Sequence, residues 1–408
     1  MKTAVIAIVV LVQAFDFFLK YLNYRNRNAP LPENVRDVYD EETYKKQSAY
    51  AMENLKLGVV SGICMLAVTV TLLAFNVYSG LYYFIAGFTE SAYLRVYFMF
   101  ASAWLIALPV SLVFEAIGTF KIEAKYGFNK TSAKTFIADI VKSALLNGVL
   151  INLGLLSLFM MLHGILGNMV FIAFFFVLAG FIMIYIFFSS LFIRIFNKLT
   201  PMEEGSLKDK VVALCKEIGY PVKRIFVIDG SRRSTKANAF ATGFGKGRTI
   251  ALYDTLIEKF TEDEVLCVTA HELGHAKKRH ILKMMPFFLI GFVMLLALAY
   301  FVVNSEAVAL AFGFTEINPA FGMFIMMVIF SPIMLLFMIP LTAFMRRNEF
   351  EADSFEVKYV GKDPAISAMK KIGRVNYANL TPHPLVVKLT YSHPPIDQRI
   401  RAMEECKF

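Results

Sequence analysis

Apolar stretches of about 20 residues recur along the chain, near 3–22, 57–80, 96–118, 141–163, 168–194, 281–303 and 321–345. Each is long enough to cross a hydrocarbon core of roughly 30 Å as a helix. The pattern therefore predicts seven transmembrane helices. The polar links between them divide sharply by charge. Segments near 81–95, 164–167 and 304–320 hold one arginine, Arg95, and no lysine, whereas 23–56, 119–140, 195–280 and the tail after 345 hold nearly all the rest. Positive links stay in the cytosol, so the amino terminus is expected outside and the carboxyl terminus inside. The first run ends in bulky, basic and tyrosine-rich residues rather than a small-residue cleavage site, so it reads as a retained span.

Between the fifth and sixth runs the period changes. "SLKDKVVALCKEIGY" from Ser206 has helical spacing behind a serine cap, and "RIFVID", "NAFATGF" and "RTIALYD" are short β-branched or apolar runs that read as strands. "TEDEVLCVTAHELGHAKKRH" follows, with Thr261 and Glu264 at capping-box spacing, and predicts a helix that runs on into the sixth span. The expected architecture is an α-helical multi-span membrane protein with a small α+β domain on the cytosolic side. Its parts are residues 1–197 (spans one to five), 198–280 (the α+β domain), 281–345 (spans six and seven) and 346–408 (a cytosolic carboxyl-terminal part that completes the site).

Composition narrows the class. A hydrophobic content of 57% in 408 residues and a mean hydropathy of +0.56 exclude an ordinary soluble protein. The net charge of +10 lies beside the apolar runs, so it points to anionic lipid headgroups and not to nucleic acid. Cys64, Cys215, Cys267 and Cys406 are scattered and form no CxxC pair, which argues against a thiolate metal site.

Candidate chemistry concentrates in "HELGH", where two of the chain's six histidines fall four residues apart. On a helix His271 and His275 share a face and can present ring nitrogens to one zinc ion, with Glu272 beside them. A catalytic zinc keeps three protein ligands and an open position, so a third ligand must come from elsewhere. Zinc brings the pKa of a bound water to roughly 7, and a neighbouring carboxylate can then take its proton. His280, five residues past His275, is turned off that face by helical spacing and is expected on the solvent side. Beyond the seventh run, "RRNEFEADSFE" crowds carboxylates on a predicted helix. Glu351 and Glu356 are expected as a solvated flank. Glu349 and Asp353, at i and i+4, can supply one metal ligand and one residue that orients a ligand histidine.

These segments, with "FLKYLNYR", "EAKYGFNK", "FNKLTPMEEGSLKDK", "NAFATGFG" and "YSHPPIDQR" in this order, resemble the type I CAAX prenyl endopeptidases over nearly the whole chain. These are seven-span membrane zinc metalloproteases. The resemblance implies one zinc ion held by His271, His275 and Glu349, with Glu272 as general base and Asp353 behind a ligand histidine. "NAFATGF" becomes an edge strand that captures an extended substrate through Asn238, Ala239 and Phe240. His393 is placed to donate to the oxyanion, although by itself it reads as a turn residue stiffened by Pro394 and Pro395. Arg399 braces the carboxylates. The spans are expected to enclose a water-filled chamber faced by Asp16, Glu115, Asn147 and Asn152.

The implied partners are the lipid bilayer and a peptide or protein with an apolar or prenylated carboxyl terminus. The short chain and its "EECKF" end lead to the expectation of a bacterial inner-membrane member, or of the endoplasmic reticulum in a eukaryote. A quality-control membrane zinc protease is the alternative enzyme reading. A transporter or lipid-binding protein with a structural metal is a third, disfavoured because it leaves Glu272 without a task.

Overall fold

The computed structural model of the chain describes residues 1–187, 193, 195–220, 222, 224–242 and 248–407. Among these, six helices are long and apolar enough to cross a membrane: Lys2–Asn26, Glu41–Ala74, Ala92–Glu123, Ala133–Ile184, His280–Val302 and Pro319–Val360. The sequence predicts seven because the run 133–184 holds two of its spans. A 3₁₀ turn at Gly167–Met169 interrupts that run, where Gly167 adopts a positive φ of 55°. The rings of Phe159 and Phe174 lie 5.4 Å apart, whereas fifteen residues of straight helix would separate them by about 22 Å. The chain therefore turns back on itself at this point. The end of the predicted fifth span, residues 188–192 and 194, lies outside the described residues.

The spans join through an apolar core that includes Leu73, Met99, Phe159, Phe312, Phe321 and Met326. Only 11–22% of each apolar window is buried within the protein, so the helices meet along seams and leave most of their surface for lipid or for an interior space. Of the polar residues expected inside the spans, Asp16 pairs with Lys20 at 2.7 Å, while Glu115, Asn147 and Asn152 are exposed on their helices.

The polar block forms a four-stranded sheet of order β1-β2-β4-β3 from β1 (Leu199–Pro201), β2 (Arg224–Ile228), β3 (Ala239–Thr242) and β4 (Thr249–Tyr253). β2 and β4 run parallel and the outer pairings are antiparallel. β1 was not legible, being three residues long and ending in proline. Two helix boundaries also depart from expectation. Gly205 precedes the helix Ser206–Glu217, and Ser206 is not its cap but donates to Glu262 Oε2 at 2.9 Å. The motif helix, Glu262–Lys277, does not continue into the sixth span; Arg279 adopts left-handed backbone with φ 56° and a new helix begins at His280.

A second core packs the sheet and motif helix with Phe355, Tyr359, Ile372 and Val375, so the carboxyl-terminal part shares the sheet's hydrophobic centre. A third gathers Val35, Val38 and Tyr39 against Met369, Ile400 and Met403, which ties the first polar link to the last helices.

In the membrane half, a Cβ added at Gly322 would lie 2.6 Å from the Val303 carbonyl and 2.7 Å from its Cα. This is backbone-to-backbone approach of the small-residue kind that lets membrane helices pack. Gly322→Ala is expected to destabilise the protein by about 1–3 kcal/mol in thermal unfolding in detergent. Gly180→Ala, where a Cβ meets nothing within 4 Å, serves as the control, and equal melting of the two variants would remove the packing argument.

Candidate active site

The motif helix is fixed at both ends of its buried face. Thr261 and Glu264 form a reciprocal capping box, with the Glu264 amide donating to Thr261 Oγ1 at 3.3 Å and the Thr261 amide to Glu264 Oε2 at 2.9 Å. Lys371 donates to the same carboxylate at 2.6 Å and so ties the cap to the helix Lys362–Val375. Further along, Gly274 meets the long helix Pro319–Val360 so closely that a Cβ there would lie 3.3 Å from Ala352 Cα. Gly274 is flanked by His271 and His275, and Ala352 by Glu349 and Asp353. Two small residues at the crossing thus let the polar side chains on either side meet.

What meets is a compact donor set. One ligand-type atom each from His271, His275 and Glu349 lies within 4.8 Å of the others. His271 Nε2 and His275 Nε2 are 3.1 Å apart, and they sit 3.5 Å and 3.3 Å from the two Glu349 oxygens. A second grouping, His271 with Asp353 and Glu356, also meets the distance condition. It is the poorer metal site, because both Asp353 oxygens accept from Arg399, at 2.8 Å from Nε and 2.5 Å from Nη2. Asp353 also lies 3.0 Å from His271 Nδ1, the nitrogen turned away from Glu349.

The donor set suits a divalent cation. Burial alone would lower the pKa of His271, but hydrogen bonds to Asp353 and Glu349 outweigh it and push it up to about 10. The carboxylates therefore favour positive charge at this point. Glu349 Oε2 is buried without a hydrogen-bond partner, its neighbour Arg399 Nη1 being at 3.3 Å. Two imidazoles, neutral once a cation takes the place of the extra proton on His271, and one carboxylate are a hydrolytic zinc donor set.

Around it lies a cavity of about 340 Å³ whose walls include Asn238, Ala239, Glu272, Glu356, His393 and Arg399. Burial pushes the Glu272 carboxyl above its ordinary pKa, against the opposing influence of both histidines and the Ala241 backbone amide. His393 lines the cavity with Nε2 3.3 Å from Glu349 Oε1. Its loop is held by Arg346, which donates to the carbonyls of Tyr391 at 2.6 Å and Val387 at 3.1 Å.

β3 is the outer strand of the sheet among the described residues, and its start borders this cavity through Asn238 and Ala239. The Tyr253 amide donates to the Asn238 carbonyl at 3.1 Å, so by the twofold period of a strand Phe240 also turns its backbone to β4 while Ala239 and Ala241 turn theirs outward. Phe240, expected among the substrate contacts, does not line the cavity. Its side chain packs beside Phe226, Ile228 and Ala251 on another core.

Three residues near the site depart from the sequence reading. His280 is buried at 3% exposure, not solvent-facing, with Nδ1 2.8 Å from His275 Nδ1. The helix break at Arg279 is the reason, since counting 100° per residue does not hold across it. Glu356 is no solvated flank either; it is 3% exposed, lines the cavity and approaches His271 Nδ1 to 3.7 Å. Its place at i+7 from Glu349 was the available signal, since it shares that residue's helix face. Glu351 is part-exposed, but it reaches His280 Nε2 at 3.4 Å.

A half-buried HExxH pair and a buried carboxylate beside an outer strand, on a scaffold of membrane helices, define a membrane metalloendopeptidase. Residues 201–407 match peptidase family M48, and residues 20–198 match the family described as CAAX prenyl protease N-terminal, five membrane helices. The chain belongs to peptidase family M48. It is 30% identical to the CAAX prenyl protease 1 homolog of Oryza sativa subsp. japonica, over 98% of this chain and 97% of the relative. With CAAX prenyl protease 1 of Saccharomyces cerevisiae it shares 28% identity, over 96% and 92% of the two chains. The crystal structure of S. mikatae Ste24p superposes with a TM-score of 0.91 at 25% identity, covering 99% of both chains.

Proposed function

We propose that the protein is a zinc endopeptidase that removes the carboxyl-terminal tripeptide from isoprenylated CAAX-type substrates. The observation that carries this reading is the meeting of His271, His275 and Glu349 at the wall of a cavity that Asn238 and Ala239, at the start of the outer strand β3, also line. The names of the relatives supply the substrate class.

His271, His275 and Glu349 would hold the zinc, which when bound supplies Lewis acidity toward a water molecule and the scissile carbonyl. Glu272 accepts the proton of the attacking water and hands it to the leaving amine; its raised pKa suits both halves of that task. His393 donates a hydrogen bond to the oxygen on which charge develops. Asp353 accepts from His271 Nδ1–H and so keeps Nε2 unprotonated, while Arg399 offsets the charge of Asp353 and Glu349. The outward carbonyls of Ala239 and Ala241 accept from the extended substrate, their amides being engaged by Asn238 Oδ1 and Glu272, and Asn238 lies at the start of that edge.

The charge alternation of the links supports an amino terminus outside and a cytosolic site. The exposed Glu115, Asn147 and Asn152 support a hydrated chamber between the spans, because a lipid-facing position would be costly for each. Under this topology residues 198–280 and 346–408 form the protease part and 1–197 with 281–345 the membrane part.

Glu272→Gln is expected to retain zinc and lose activity by about 10²–10⁴-fold, whereas Glu349→Gln loses zinc affinity; equal metal loss in both would sink the division of roles. Of two peptides differing only in a farnesyl group, the farnesylated one is expected to show the higher kcat/KM. Equal values, together with cutting of unfolded membrane proteins, would favour a quality-control protease. Orientation is read by cysteines introduced at exposed Glu203 and Phe88, since Cys215 is too buried to report. An impermeant thiol reagent outside intact cells is expected to label Phe88→Cys only, and labelling of Glu203→Cys would reverse the topology.

A further inference from the structure

Two ligand histidines need the same thing: an unprotonated Nε2 aimed at the metal and an Nδ1–H satisfied on the other side. Asp353 provides this for His271 at 3.0 Å. For His275 the group at the corresponding position is another imidazole. His280 Nδ1 lies 2.8 Å from His275 Nδ1, and His280 Nε2 lies 3.4 Å from Glu351 Oε2. The rings follow one another edge to face, with centroids 4.8 Å apart from His271 to His275 and 4.9 Å from His275 to His280.

The protons in this row can be assigned. Two ring nitrogens at 2.8 Å bond only when one of them carries the hydrogen. Glu351 is an acceptor, held as a carboxylate beside Lys283 and Arg347, each at 3.5 Å. His280 therefore donates to it from Nε2 and presents a lone pair at Nδ1. His275 must then donate from Nδ1, which leaves its Nε2 bare, and that is the atom 3.3 Å from Glu349 Oε1.

We propose that His280 and Glu351 are the positioning residues for His275, a relay that fixes its tautomer and ring angle for metal binding. The proposal rests on the ligand set given above. Neither residue is among those that line the cavity, and the break at Arg279 is what brings His280 back under His275.

The test is zinc affinity of the purified full-length chain, measured by competition with a fluorescent chelator and accompanied by a thermal melt. His280→Phe keeps a ring of similar bulk but removes the acceptor, and is expected to weaken zinc by about 10–100-fold. His280→Asn loses the bulk but puts an amide oxygen near the Nδ1 position, and is expected to bind within about threefold of the parent. A purely structural role predicts the reverse order, and that order would overturn the proposal. Glu351→Ala is expected to weaken zinc several-fold, and it decides the matter where His280→Phe does not fold: an unchanged affinity then removes the relay. His275→Ala separates the two readings. Loss of zinc in His275→Ala with parent-like binding in His280→Phe sinks the relay alone, whereas parent-like binding in His275→Ala sinks the ligand assignment beneath it.

Discussion

Three carboxylates buried on one face of a single helix set the terms for this structure. Glu349, Asp353 and Glu356 fall at i, i+4 and i+7 and are 5%, 1% and 3% exposed. Taking charges out of water costs several kcal/mol each unless partners and hydrogen bonds repay it; burial pushes the pKa of the Glu356 carboxyl up to about 8, so Glu349 and Asp353 are the charges that need partners. The repayment here comes from three separate parts of the chain. The motif helix brings His271 and His275, the last helix, Ile396–Glu405, brings Arg399, and the loop before it brings His393. Arg399 alone engages both oxygens of Asp353 and one of Glu349, the bidentate use for which a planar guanidinium is suited. Gly274, the capping box and Arg346 all serve the same end, which is to hold the countercharges against that face.

The strand that borders the cavity is held as firmly as the metal-ligand face. Asn376 grips the backbone of Ala237 from both sides, accepting from its amide at 3.1 Å and donating to its carbonyl at 3.2 Å. Lys236, one residue earlier, donates to Tyr50 Oη at 2.9 Å and pairs with Glu123 at 3.3 Å, while Arg233 forms a fork with Asp139. Tyr50, Glu123 and Asp139 all belong to polar ends of the membrane helices or to their links. The sheet edge is therefore braced against the membrane part, a rigid mounting of the kind that positioning a peptide bond to within a fraction of an ångström requires.

Much of this was legible in the sequence because it rests on regular periods. Apolar length gave the spans, short apolar and β-branched runs gave β2, β3 and β4, and i, i+4 spacing put His271 with His275 and Glu349 with Asp353. Resemblance, and not spacing, supplied His393 and Arg399, which lie far along the chain and carry no periodic signature. What failed did so where regularity stops. The turn at Gly167–Met169 hides inside one apolar run, and β1 is too short to show alternation. His280 was misplaced because one left-handed residue, Arg279, resets the helical count. Glu356 was misread because a charged residue after a span is usually solvated, although its place seven residues after Glu349 put it on the same helix face.

The helix that carries Glu349 is unbroken from Pro319 to Val360. From Pro319 to Glu349 it rises by about 45 Å, against roughly 30 Å for the hydrocarbon layer. Arg346 and Arg347 mark where it leaves the apolar zone, only a few residues before Glu349. The bilayer thus serves as a datum, and the helix as a ruler graduated from it. A substrate tethered in the membrane presents its bonds at heights fixed by their distance along the chain from the tether. Under the proposed function, cleavage of such a substrate would be selected by counting residues from its anchor as much as by recognising which residues they are.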